Sequence, residues 1–225
     1  MTTINTNAAE FEKDVFKTSK GGLAITFIAH GTLMMEFDGK VIHIDPVSMY
    51  TDYSGMPKAD LIMITHEHGD HLDAKAIEAI KKPGTEIVLT KTCAERLGSG
   101  IVLANGESAT AMGIKIDAVP AYNLEKAFHP KGKGNGYVLT FGDKKVYVAG
   151  DTENIPEMGS LENIDIAFLP MNLPYTMSPE MVADAARSFK PKILYPYHFG
   201  NTNTDELLEL MKDDKDIEIR IRKLQ

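Results

Sequence analysis

Cysteine and tryptophan are nearly missing from this chain: of 225 residues one is cysteine, Cys93, and none is tryptophan. A lone cysteine excludes an intrachain disulfide. It lies in Lys-Thr-Cys-Ala-Glu-Arg-Leu over 91–97, with no histidine nearby to activate a thiolate, and reads as a buried structural thiol on a short helix. Long apolar runs are absent as well. No stretch approaches membrane-spanning length, and 1–20 is polar and mixed in charge, without the apolar core of a signal peptide. The expectation is a soluble, cytoplasmic protein with no membrane partner. Positive charge is also scarce: 24 Lys and Arg against 32 Asp and Glu give a formal net charge of −8. That argues against nucleic acid as a partner, since such proteins present a basic face. A small-molecule substrate is expected instead, and a homo-oligomer is left open.

What is present is concentrated. Of seven histidines, three fall in Thr65-His66-Glu67-His68-Gly69-Asp70-His71, with an aspartate among them. A short apolar run over 61–64 precedes this stretch, and a segment of helical spacing over 72–80 follows it, stopped by Pro83-Gly84. The stretch is therefore a strand-to-helix turn, at the carboxyl end of a strand, where open sheets bind ligands. His66 and His68 are two apart and point the same way on an extended backbone. Asp70 and His71 are adjacent and point apart, so one turn can aim each pair at a different ion. Imidazole and carboxylate suit zinc first, with manganese or iron as alternatives. Asp70 and Asp73 are also placed to complement the dipole of the following helix.

The rest of the chain alternates hairpins and strand–helix units. Strands are expected near 11–16 and over 23–29, 33–37, 40–44, 86–90, 114–120, 165–169 and 192–195. Asp38-Gly39, Asn105-Gly106 and Gly142-Asp143 are hairpin turns between flanking strands, the second joining 101–104 to 108–112. Ser178-Pro179 starts a helix, Thr204 caps another, and Ile217, Ile219 and Ile221 alternate as a final edge strand. Residues 1–9 read as loose. The loop 47–60, with Tyr50 and Tyr53, is long and aromatic enough to border a site. The fold class is α+β, layered, in one domain spanning 1–225 with a core drawn from 43% hydrophobic residues.

His-x-His-x-Asp-His after a hydrophobic strand resembles the metallo-β-lactamase fold superfamily of metal-dependent hydrolases. Tyr147-Val148-Ala149-Gly150-Asp151-Thr152 resembles that family's Gly-Asp-Thr strand end, and Leu194-Tyr195-Pro196-Tyr197-His198 its last histidine. Ile28-Ala29-His30-Gly31 and Ile42-His43-Ile44-Asp45-Pro46 are most similar to the branch containing L-ascorbate-6-phosphate lactonase and N-acylphosphatidylethanolamine phospholipase D. The resemblance runs from about 23 to 198. It implies a four-layer αβ/βα sandwich and two divalent ions. Asp151 would then bridge the ions, and His198 would join Asp70 and His71 on the second. The third ligand of the first ion would be a histidine in the loop 121–132. His129 is the histidine available there; Asn123 stands where some relatives carry it. Accessory roles fall to His30, near substrate or a ligand, and to Asp45, as an outer carboxylate orienting a ligand histidine. His43, flanked by Ile42 and Ile44, reads as structural.

Two cations about 3.5–4 Å apart can hold a hydroxide between them, which Asp70 would orient as the catalytic carboxylate for attack on an ester, lactone or phosphodiester. Lys126, Lys131 and Lys133 are candidates to attract an anionic group, although surface lysines are more often solvated. Tyr50, Tyr53, Tyr122 and Tyr175 are candidates to line a pocket, and 171–177 to form its rim. A phosphorylated or lactone-like metabolite is the first expectation for substrate. A nuclease would carry an inserted domain and a basic surface. An iron oxidoreductase of this fold would replace His68 by glutamate and add a flavin domain. A non-catalytic metal-binding scaffold is the remaining alternative.

Overall fold

The computed structural model describes residues 11–224, so the expectation for 1–9 lies outside the described residues. The first sheet begins as a meander of β1 (Lys13–Thr18), β2 (Gly21–Ala29), β3 (Thr32–Phe37) and β4 (Lys40–Ile44). Asp38 and Gly39, between β3 and β4, both take left-handed backbone (φ 49° and 70°). That pair of conformations makes a turn whose twist matches its strands. Three parallel strands then extend the sheet: β5 (Leu61–Met63), β6 (Glu86–Leu89) and β7 (Ile101–Val102).

The second sheet repeats this plan. β8 (Ser108–Ala111), β9 (Ile114–Ala121), β10 (Gly134–Phe141) and β11 (Lys144–Val148) are antiparallel. β12 (Ile166–Pro170), β13 (Ile193–Tyr197) and β14 (Glu218–Ile219) follow in parallel. Each sheet has seven strands in chain order.

Alternating side chains divide the core into layers. Ile42, Ile44, Leu61 and Met63 of the first sheet share one buried cluster with Leu139, Val146 and Val148 of the second. Ile62 and Ile64 point the other way and bury Ile77 and Ile80 of α1 (Ala74–Ile80) and Cys93 of α2 (Lys91–Leu97). Cys93 is fully buried, and burial pushes its thiol up to about 11, as suits a structural cysteine. On the second sheet Tyr147 meets Phe189 of α3 (Pro179–Phe189) edge-on at 5.9 Å, and α4 (Thr204–Leu210) packs on α3. The result is the αβ/βα sandwich. Among the described residues no helix is long and apolar enough to cross a membrane.

Four local expectations change. Residues 101–104 and 108–112 do not form a hairpin. β7 completes the first sheet on β6, β8 opens the second on β9, and Asn105-Gly106 carries the chain between sheets. Asn105 Nδ2 donates to Gly134 O (2.9 Å) and Asn135 Oδ1 (2.6 Å), so tertiary contacts replace the hairpin ladder. The true β8–β9 turn is Met112-Gly113, both left-handed, which a methionine does not advertise. Asn203, not Thr204, caps α4, its side chain accepting from Asp205 N. Asp73 alone caps α1, accepting from Lys75 N (2.8 Å); Asp70 lies outside that helix and faces elsewhere. The last strand is also shorter than its isoleucines suggest: after Arg220, whose N donates to Leu194 O (2.9 Å), the chain leaves β13, and Leu224 O accepts from His30 N at the end of β2 (2.7 Å).

His43 is structural, as expected. It is fully buried, Nε2 donates to Pro57 O at 3.0 Å, and burial holds its pKa down at about 4. The unfolded chain binds this proton near pH 6.5, so the contribution is intact above 6.5 and is lost as pH falls towards 4, about 3 kcal/mol in all. Denaturant unfolding of metal-free protein between pH 7.5 and 4.5 should show a smaller acid loss in His43→Gln than in the wild type. Equal losses would contradict this account.

Candidate metal centre

Six of the seven histidines meet at one end of the sandwich. His66, His68 and Asp70 come from the loop after β5, with His71. Asp151 follows β11 and Gly150, His198 ends β13, His129 sits between β9 and β10, and His30 ends β2. The donor atoms of His66, His68 and His129 lie within 4.8 Å of one another, as do those of His30, Asp70, His71 and His198. His66, His71 and Asp151 make a third such group between these two. Asp151 Oδ2 is 3.3 Å from His129 Nε2 and 3.3 Å from His198 Nε2; Oδ1 is 3.4 Å from His71 Nε2. The carboxylate therefore stands between the two sets. Every ligand and accessory residue expected from the sequence lies in this cluster or hydrogen-bonds to a member of it.

Asp45 supports it from below. The carboxylate is fully buried and accepts from His71 Nδ1 (2.8 Å), Thr65 Oγ1 (2.6 Å) and Thr65 N (2.8 Å). With its own proton given to Asp45, the Thr65 hydroxyl accepts from His66 Nδ1 at 3.0 Å. One carboxylate thus sets the tautomer of two histidines and turns both Nε2 atoms into the centre. Asn123 does the same for His129: its Oδ1 accepts from His129 Nδ1 (2.8 Å) and N (2.9 Å), while Nδ2 donates to Tyr175 O (2.9 Å). Asn123 is a support, and His129 the group that faces the centre.

Sequence reasoning missed Thr65 and Tyr197. The Tyr197 hydroxyl accepts from Gly150 N at 2.9 Å and so fixes the turn that presents Asp151. A hydroxyl beside a metal-ligand motif was the available signal for Thr65; Tyr197 gave none beyond its place next to His198. Gly150 is left-handed (φ 66°), and a Cβ there would meet Asn135 O at 2.8 Å. A Cβ on Gly31 would lie 2.8 Å from the His71 ring. Gly150 needs glycine because backbone closes on it, and Gly31 because the His71 ring does.

The electrostatics suit a cation. Burial would raise the Asp151 pKa, but His198 and His71 hold it well below the usual carboxylate range. Asp70 is likewise lowered, His198 and His30 outweighing its burial. Burial and the neighbouring His71 keep His66 neutral, and burial with His129 lowers His68. Burial opposes a charge on His71, yet Asp151 and Asp45 draw its pKa upward; a divalent cation would take the place of that proton. Among the described residues, the buried His66 Nε2, His71 Nε2, His198 Nε2 and Asp151 Oδ1 have no hydrogen-bond partner. Buried polar atoms are rarely left so. Four of them converging in one place, all nitrogen or oxygen, form a cluster able to bind metal.

The cluster opens on a cleft of about 470 Å³ lined by Tyr50, Phe128, Asn172 and Tyr175 beside His30, His68, Asp70 and His198. Tyr50 and Tyr175 line it as expected, whereas Tyr53 and Tyr122 are buried (2% and 5% exposed) and pack. Lys126 and Lys131 pair with Glu153 (2.8 Å) and Glu157 (2.9 Å), and the exposed Lys133 lines a narrow pocket beside the cleft with His66, His68, Phe128, His129 and Asp151.

Asp45→Ala should weaken metal binding by roughly 10–100-fold, because His71 and Thr65 lose the acceptor that orients them. Titration against a competing chelator measures this, and unchanged affinity would refute the role given to Asp45.

Comparison with known proteins agrees with the geometry. The β-lactamase superfamily domain matches residues 24–198. A UPF0173 metal-dependent hydrolase of Pelotomaculum thermopropionicum is 31% identical, over 83% of this chain and 87% of its own. One from Methanopyrus kandleri is 30% identical, over 79% and 84%. The crystal structure of a Parabacteroides distasonis protein, described as a metal-dependent hydrolase, superposes with a TM-score of 0.93 at 54% identity, covering 96% of this chain and all of that one. A metallo hydrolase of Ignicoccus hospitalis gives 0.76 at 27%, covering 89% and 95%. Motif, fold and donor cluster agree with these matches, and the chain belongs to the metallo-β-lactamase superfamily, among its metal-dependent hydrolases.

Proposed function

We propose that this protein uses two divalent ions, zinc by preference, to hydrolyse an ester, lactone or phosphodiester bond of a small molecule. The observation that carries the reading is the position of Asp151, whose Oδ2 is 3.3 Å from both His129 and His198. A carboxylate shared in this way suits two neighbouring cations better than one. His66, His68 and His129 would hold the first, and Asp70, His71 and His198 the second, with Asp151 common to both. Such ions supply a water activated at neutral pH and positive charge against the developing oxyanion.

The chain's own groups do the rest. Asp70 is the most open carboxylate of the cluster, its side chain 38% exposed against 3% for Asp151. Facing the cleft as an ionised acceptor, it takes a hydrogen bond from the attacking water and aims it at substrate. His30 Nε2 donates to Asp70 Oδ2 at 3.2 Å and fixes the direction of that carboxylate. The buried walls behind His66, His71 and Asp151 keep other water away, so charges in the centre act through a low dielectric.

Purified protein should carry two ions per chain by elemental analysis. Chelation should stop turnover of an ester, lactone and phosphodiester panel, and zinc, manganese or iron should restore it. His66→Ala and Asp70→Ala should each lower kcat by at least about 10²-fold while the far-ultraviolet circular dichroism stays that of the wild type. Near-wild-type turnover in either variant, or protein that takes up no ion from excess metal, would overturn the reading.

A further inference from the structure

The cleft walls carry information about substrate that the donor cluster does not. Among the described residues, no lysine or arginine lines the cleft. Two of the three lysines of the 121–133 loop are already paired with Glu153 and Glu157; the third, Lys133, is exposed and lines a narrow neighbouring pocket that shares Phe128 and His129 with the cleft. What the loops 121–133 and 171–177 present to the cleft includes an aromatic pair. Phe128 (42% exposed) and Tyr175 (46%) stack edge-to-face with ring centroids 5.0 Å apart, and both line the cleft with His68 and His129. The loops that carry Phe128, Tyr175 and Tyr50 hold further exposed apolar residues: Leu124 at 52%, Leu173 at 51% and Met49 at 76%.

This edge is built, not loose. Asn123 Nδ2 donates to Tyr175 O, and the same Asn123 orients His129. Thr176 Oγ1 accepts from Asn172 N at 2.8 Å. The amide that sets a histidine of the centre therefore also sets the aromatic pair, which fixes the pair's distance from the donor cluster. Large rings left open to water at a cleft mouth gain most by covering an apolar ligand.

We propose that Phe128 and Tyr175 form an acyl-group subsite, and that the substrate is an uncharged carboxylic ester or lactone with an aliphatic or aromatic acyl part, not a phosphorylated metabolite. The proposal rests on the hydrolase reading above and narrows it. In the step it implies, the oxygen of water joins the acyl carbon and the bond from that carbon to the alkoxy oxygen breaks. The alkoxy oxygen leaves with a proton as the alcohol, one water being consumed. The acyl chain lies along the Phe128–Tyr175 edge, and Asn172 and Tyr50 complete the wall beyond it.

Two measurements on zinc-loaded protein test this and separate it from the parent reading. The first is calorimetric binding of two product-like acids, acetate and hexanoate. A buried methylene multiplies affinity about fourfold, so four half-covered methylenes should make hexanoate bind at least about tenfold tighter. Phe128→Ala and Tyr175→Ala, with melting temperatures checked against the wild type, should each reduce that ratio to about threefold or less. The second is acid release from ethyl hexanoate and ethyl acetate, where kcat/KM should favour hexanoate by a similar factor. Equal binding of the two acids by wild type overturns the subsite, as does faster turnover of phenyl phosphate than of either ester. Preference in binding without turnover of any ester, lactone or phosphodiester overturns the hydrolase reading while keeping the subsite. Turnover of both esters without preference does the reverse.

Discussion

The Asp45 carboxylate is buried at the end of β4 and accepts three hydrogen bonds, two of them from Thr65 and one from His71. A charge so placed is tolerated only when its oxygens are fully used. The groups that use them are those that start the 65–71 loop. The backbone N–H of Thr65 fixes where that loop leaves β5, its hydroxyl turns His66, and the direct bond turns His71. Without this anchor the histidines of 66–71 would be a polar surface loop, free to adopt many rotamers. With it, two imidazoles enter the centre as neutral or cation-ready donors with one nitrogen already assigned.

The second constraint is the repeated architecture. In each sheet an antiparallel meander passes into parallel strands, and the carboxyl ends of the inner parallel strands meet at one edge of the sandwich. Asp45 and the 66–71 loop come from the first sheet, Asp151 and His198 from the second. Holding them there costs backbone strain: His30, Asp45 and His198 all take left-handed φ (52°, 46° and 47°), a conformation costing of order 1–3 kcal/mol outside glycine. The strained residues are tied to one another and to the chain end. His198 N donates to His30 O at 3.0 Å, and His30 N donates to Leu224 O at 2.7 Å. Leu224 is buried, and Arg222 beside it pairs with Asp14 of β1 at 2.7 Å. The segment 221–224 thus leaves the edge of the sheet to hold His30, and through it His198.

The cleft joins two kinds of surface. Its floor is polar and rich in imidazole and carboxylate, its wall aromatic and open, and Asn123 is hydrogen-bonded to both. Under the proposed function, reactivity belongs to the strand ends and selectivity to the loops 121–133 and 171–177. Lys126 and Lys131 of the first loop, anion-binding candidates in the sequence, are paired with Glu153 and Glu157, two residues whose proximity no local pattern announced.

Much of this was legible without coordinates. The run 66–71 fixes its own chemistry, because two histidines two residues apart and an Asp-His pair are constrained by covalent geometry alone. Asp38-Gly39 and Gly142-Asp143 determine their turns through left-handed backbone, and Ser178-Pro179 its helix start, since each signal acts over a few bonds. Asp151, His198, Asp45 and His129 were readable as candidates from strand ends and family motif. Their mutual distances were not. The turn at Asn105-Gly106 shows the limit: its local signal was sound, but the flanking segments found better partners in two different sheets. Tyr197 beneath Gly150, Asn123 behind His129 and Leu224 behind His30 depend on contacts spanning from 6 to 194 residues. The sequence by itself determined which donors exist and how neighbouring ones point. Only the tertiary structure decided which distant donors share a centre, because that is set by the order in which strands pair and by hydrogen bonds made after the sheets have closed together.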